Sequence, residues 1–131
     1  LAVDYGRKRI GLAVSDPLRI IATPVGVIAA GRESVQRVAD VVRAYEVAEV
    51  ILGVPPEDAV DGLREEIERF GRELEFRTGV SVKLVDETMT TREAVDRVHA
   101  NGGRLHRVKH RLDALAASVL LQDVLDGRRV R

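Results

Sequence analysis

The opening stretch, Leu1 to Asp16 (LAVDYGRKRIGLAVSD), constrains this chain more than any other. Leu1-Ala2-Val3 is an apolar run that ends on a carboxylate, Asp4. Tyr5-Gly6-Arg7-Lys8 reads as a turn, in which Gly6 is free to take a positive φ. Arg9 to Ser15 follows as a strand, with Ile10, Leu12 and Val14 on one face and Arg9, Gly11 and Ala13 on the other. The expectation is a β-hairpin with one acid at the tip of its first strand. Three cations, Arg7, Lys8 and Arg9, surround its turn. Asp-x-Gly is also an ordinary turn sequence, so Asp4 gains meaning only from the acids brought beside it.

The remainder supplies a sheet to hold that hairpin. Asp16-Pro17 marks a turn, and Ile20 to Ile28 reads as a strand that Pro24 confines to an edge. Val35, Val38, Val42 and Tyr45 recur at helical spacing, with Val41 widening the stripe. Glu49 to Val54 is apolar on both faces and suits a buried parallel strand. Val60, Leu63, Ile67, Phe70 and Leu74 mark a long amphipathic helix that Gly79 ends. Ser81 to Asp86 is a strand running into Glu87, and Thr90-Thr91-Arg92-Glu93 forms a capping box. The helix opened there uses Ala94, Val95 and Val98 and stops at Gly102-Gly103. A basic linker, Arg104 to Arg111, then leads into a last helix with Leu112, Leu115, Ala116, Val119 and Leu120 as its stripe. The order βββαβαβαα predicts an α/β fold, a mixed five-stranded sheet flanked by helices, which is the ribonuclease-H-like topology. With 131 residues and no internal repeat or linker, residues 1–131 are expected to form a single domain. The chain opens on Leu1 rather than methionine, so the first strand is expected to start upstream.

Composition excludes several chemistries. There is no cysteine, hence no disulfide, thiolate metal site or cysteine nucleophile. No apolar run approaches a membrane span or signal-peptide core, and the cytoplasm is the default compartment. The 21 basic and 21 acidic side chains cancel, which argues against wholesale attraction to nucleic acid and leaves local patches open. Aromatic residues are 3% of the chain, too few for base-stacking platforms, so a nucleic acid would be held through its phosphates.

In such a sheet the first strand is central, and the functional crevice lies beyond the carboxyl ends of the parallel strands. Asp4 and the pair Asp86-Glu87 fall there. Asp113, placed in the first turn of the last helix, shares a side with Ala116, Ala117 and Leu120 and leans towards the sheet. A carboxylate so placed needs a partner or a cation; the alternative is that Asp113 complements the helix N-terminus. Converging carboxylates with no thiolate or imidazole select Mg2+ or Mn2+ over zinc. Two such ions could activate water and stabilise the leaving oxygen in phosphodiester hydrolysis. Arg7, Lys8 and Arg9, with Arg104, Arg107, Lys109 and Arg111, flank the same region and could grip phosphates; a solvated loop explains any one of them equally well. His106 and His110 are four apart, a spacing without meaning in a loop. Ser15, Thr88, Thr90 and Thr91 have no base placed to activate them and read as turn and cap residues.

Four dispersed motifs, in order over essentially the whole chain, resemble the YqgF (RuvX) family of Holliday-junction-resolvase-like nucleases in the ribonuclease-H-like superfamily. They are Asp4-Tyr5-Gly6-Arg7-Lys8-Arg9-Ile10-Gly11 with Val14-Ser15-Asp16-Pro17; Gly53-Val54-Pro55; Val85-Asp86-Glu87-Thr88-Met89-Thr90-Thr91; and Leu112-Asp113-Ala114-Leu115-Ala116-Ala117. The resemblance implies that Asp4, Glu87 and Asp113 are metal-binding catalytic acids. It also implies a cytoplasmic bacterial nuclease that matures the 5′ end of pre-16S ribosomal RNA or resolves branched DNA. Resolution would need a homodimer, the sequence shows no decisive dimer face, and monomer or homodimer stays open. One departure is local. The family places Asp-Gly about four residues after the proline of its Gly-Leu-Pro motif, whereas Asp61-Gly62 comes later here, so substrate contacts of the Pro55–Gly62 loop are not carried over. A non-catalytic nucleic-acid-binding module is the competing reading. An actin-like or sugar-kinase-like ATPase would need two such domains.

Overall fold

The structure is a computed structural model that describes residues 1–55, 62–86 and 105–127, with side chains of the last stretch described from Asp113 onward. Three antiparallel strands come first: β1 (Ala2–Tyr5), β2 (Arg9–Ser15) and β3 (Ala22–Ala29). Helix α1 (Ser34–Ala44), strand β4 (Glu49–Val54), helix α2 (Leu63–Thr78) and strand β5 (Ser81–Asp86) follow, and helix α3 spans Leu105–Leu125. The five strands are ordered β3-β2-β1-β4-β5, with β4 parallel to both β1 and β5. Strand β1 is therefore central and β3, with its Pro24, lies at an edge, as the sequence predicts.

Alternation along the strands sorts side chains between two cores. Val3, Ile10, Leu12, Val50, Leu52 and Val54 pack under α1 and α2, against Val38, Val42, Ile67, Phe70 and Leu74. Ala2, Ala13, Ile51 and Val85 face α3, against Ala117, Leu120, Leu121 and Val124. Alanines lie on the α3 side near the closest approach of the helix backbone to the sheet, and larger residues fill the rest. An ideal Cβ on Gly11 would collide with the Asp113 carbonyl oxygen. Only glycine fits at that position in β2. At the other end of α3, the Gln122 amide clamps the chain entering β3. Its Oε1 accepts from the Ala22 N–H at 2.9 Å and its Nε2 donates to the Ile20 carbonyl at 2.9 Å.

Several expectations are corrected. The stretch from Leu105 to Arg111 is helical, not a linker, so Asp113 lies more than two turns into α3 rather than in its first turn. The reading of Asp113 as complement to a helix N-terminus falls with that, since the dipole acts over the first turn. His106 and His110 consequently sit one helical turn apart on the backbone. The buried stripe of α3 is Ala114, Ala117, Leu120, Leu121 and Val124, while Leu115, Ala116 and Val119 are half-exposed. This helix is apolar on most sides; alanines, Ala114 and Ala117, face inward near Gly11, and Leu120, Leu121 and Val124 face inward beyond it. Tyr45 lies beyond α1 at its C-cap and is 50% exposed. Strand β1 runs on to Tyr5, paired with Ile10, which places Asp4 within the strand rather than at its tip. The expected Thr90–Gly103 helix and Glu87 lie outside the described residues.

Two predictions follow from this packing. Gly11→Ala drives a methyl group into the α3 backbone and is expected to destabilise the protein by at least about 2 kcal/mol in urea unfolding. The turn before β3 depends on Asp16, whose Oδ1 accepts the N–H groups of Ile20 and Ile21, both at 2.8 Å. The N–H groups of Ile21 and Ile20 hold this exposed carboxyl below its usual range. A lowered folded-state value means the contribution is fully present above about pH 4 and is lost as pH falls through the folded value. Asp16→Ala should therefore melt below wild type at neutral pH, with the gap closing as the solution is acidified.

Candidate nuclease site

Asp4 is two residues from Ala2 along β1 and so projects to the α3 face of the sheet. Its register partner in β2 is Gly11. The Asp113 backbone rests on that same glycine, so the missing side chain lets α3 come down beside the strand position that carries Asp4. Arg9, two residues before Gly11, projects to this face as well. Its Nε donates to Asp113 Oδ2 at 2.9 Å, and both side chains are 30% exposed. Asp4, Arg9 and Asp113 thus occupy neighbouring positions where the carboxyl end of β1 meets α3.

The other candidate residues are distributed differently. Arg7 turns to the opposite face, where its Nε lies 3.3 Å from Glu66 Oε2 of α2. The Tyr5 hydroxyl donates to the same oxygen at 3.4 Å. Burial, and then the Glu66 carboxylate, push the Tyr5 phenol above its usual range. Lys8 is exposed at the hairpin turn. Arg107, Lys109 and Arg111 lie on the first turns of α3, and their side chains, like all of Arg104 and Glu87, fall outside the described residues. Asp86, the last residue of β5, is largely exposed, 3.8 Å from Arg64 Nη1. Among the described residues no three acid or imidazole groups gather as a metal cluster. Asp4 and Asp113 are the acids of the expected set that the described residues include.

Two participants were not singled out as site residues from the sequence. Gly11 had a readable signal, since glycine inside a strand marks close backbone approach. Arg64 had none, being one charge among many on the polar face of α2. It donates to the Pro55 carbonyl at 3.2 Å and so joins the carboxyl ends of β4 and β5. A cavity of about 450 Å³ lies at the far end of the sheet, lined by residues such as Asp16, Arg19, Glu46 and Leu121, and contains neither Asp4 nor Asp113.

The profile of the RuvX family, described as Holliday junction resolvase, matches residues 1–127. The chain belongs to the RuvX family. A RuvX relative from Syntrophus aciditrophicus is 37% identical over 131 residues, covering 97% of this chain and 87% of its own. One from Anaeromyxobacter sp. (strain Fw109-5) is 39% identical, covering 98% of this chain and 96% of its own. Both carry the provisional name pre-16S rRNA nuclease. Among solved structures, Thermus thermophilus RuvC in complex with Holliday junction substrate superposes with a TM-score of 0.58 at 17% identity, over 96% of this chain and 92% of that one. That likeness establishes a ribonuclease-H-like fold for this RuvX chain. No helix among the described residues is long and apolar enough to cross a membrane.

Proposed function

We propose that this chain is one cytoplasmic nuclease domain, a divalent-metal-dependent phosphodiester hydrolase whose favoured substrate is the 5′ end of pre-16S ribosomal RNA. The observation that carries the reading is the convergence of Asp4 and Asp113 over Gly11, in a chain 37–39% identical to relatives bearing that nuclease name. The donor set fits the metal: two carboxylates, held by a rigid sheet and helix, offer hard oxygen atoms of the kind Mg2+ and Mn2+ take. Asp4 and Asp113 would hold the ion, with Glu87, directly after β5, as the third ligand. Such an ion, when bound, supplies Lewis acidity and a water acidified enough to attack at neutral pH.

The chain's own groups would do the rest. Arg9 pairs with Asp113 beside the site. Lys8 at the turn, with Arg104, Arg107, Lys109 and Arg111 around the start of α3, would position the phosphates of the substrate, whereas Arg7, paired with Glu66 on the other face, would not. In the reaction a water oxygen bonds to phosphorus as the bond to the leaving ribose oxygen breaks; the attacking water gives up a proton to solvent, and the leaving oxygen takes one from solvent to become a hydroxyl. Branched DNA is the second reading, supported by the description of the family profile. It requires two symmetric cuts and hence a two-fold dimer.

The test is cleavage of labelled RNA bearing the 16S 5′ extension and of a four-way DNA junction, each with Mn2+ or with EDTA. Losing an outer-shell partner of a metal ligand costs about 10–100-fold, so losing a ligand through Asp4→Asn or Asp113→Asn should lower RNA cleavage at least about 100-fold. Cleavage of RNA alone, abolished by EDTA, supports the proposal. Symmetric cutting of the junction moves the function to resolution. Binding of both substrates without cutting either overturns it in favour of a binding module.

A further inference from the structure

Three successive cations form the hairpin turn, and the structure separates them. Arg7 reaches Glu66 across the α2 side and Lys8 is exposed, whereas Arg9 enters the α3 side and bonds Asp113. The Arg9 contact is made through Nε to Asp113 Oδ2, and Asp113 Oδ1 bonds no described residue. Asp4 lies opposite Gly11 in the register, so Arg9 is also its diagonal neighbour on one sheet face. A guanidinium stays charged at any working pH, so only another cation, or loss of the carboxylate, relieves this pairing.

We infer that Arg9 is the built-in counter-cation of the Asp4–Asp113 site, holding Asp113 in the metal-free protein and opposing the metal ion that the site takes. The inference rests on the nuclease reading above, and it changes what Arg9 does there: it acts through Asp113 as a charge that competes with the metal ion, rather than as a grip on phosphate. Two carboxylates over one glycine repel each other, and a fixed positive charge beside them offsets that repulsion. The same charge repels an incoming divalent ion, so the site trades affinity for stability when empty of metal. A weakly held ion exchanges readily, and cleavage then responds to the free metal concentration.

The test is Mn2+ affinity, read calorimetrically and from the free-ion electron paramagnetic signal, for wild type, Arg9→Gln, Arg9→Lys and Asp113→Asn. Removing a unit charge close to a divalent site should tighten Mn2+ binding about tenfold in Arg9→Gln. Arg9→Lys keeps the charge and should stay within about threefold of wild type. A side chain that merely braces the fold predicts the opposite sign, because loosening Asp113 weakens binding. Unchanged or weaker binding in Arg9→Gln overturns the inference while leaving the nuclease reading intact, provided that Asp113→Asn abolishes binding. If Arg9→Gln does not fold, more than tenfold weakening in Arg9→Lys overturns it on its own. Absence of Mn2+ binding by wild type overturns both this inference and the metal site beneath it.

Discussion

The structure depends on the contact between the backbone of α3 and strand β2 at Gly11. A helix normally stands off a sheet by the length of the side chains between them. Here the Asp113 carbonyl fills the space where a Cβ would be, and the alanines around it, Ala2, Ala13, Ala114 and Ala117, leave room for the approach. Dispersion contacts at that distance are dense and unforgiving of added volume. The helix therefore has essentially one longitudinal setting on the sheet, which the Gln122 clamp secures at its far end.

That setting carries an electrostatic consequence. Register alone puts Asp4 opposite Gly11, and packing alone puts Asp113 over it, so two acids meet where neither element by itself would place them. Moving carboxylates towards a core is costly unless their charge is met. Arg9 meets part of it from the adjacent strand position. Sheet and helix hold these positions rigidly on two sides.

Much of this was legible in the sequence, for reasons that differ by element. Strands β1 to β5 alternate or run apolar over short lengths bounded by Gly, Pro and Asp, and their order determines which strand is central. Pro24 marked the edge, and Gly79 marked the end of α2, where it adopts φ +70° and its N–H reaches the Glu75 carbonyl. What failed was α3. The basic stretch from Leu105 to Arg111 resembles a linker in sequence, yet it forms the first turns of a helix whose apolar residues cover most of its circumference. Its inward face is hard to read from periodicity when apolar residues lie on most sides and alanines face inward at the close contact. Asp113 was found, but its setting more than two turns into the helix and its pairing with Arg9 were not, because both depend on tertiary packing between residues about a hundred positions apart.

The central claim is that Gly11 brings Asp4 and Asp113 into one metal site. The most direct measurement is titration of the ¹⁵N-labelled protein with substoichiometric Mn2+, following the broadening of backbone amide signals. The account predicts that amides around Asp4 and Gly11 broaden together with those around Asp113 and Ala114, at one common midpoint, and that Asp4→Asn suppresses both sets. Broadening at one acid without the other, or retained around Asp113 in Asp4→Asn, would contradict it.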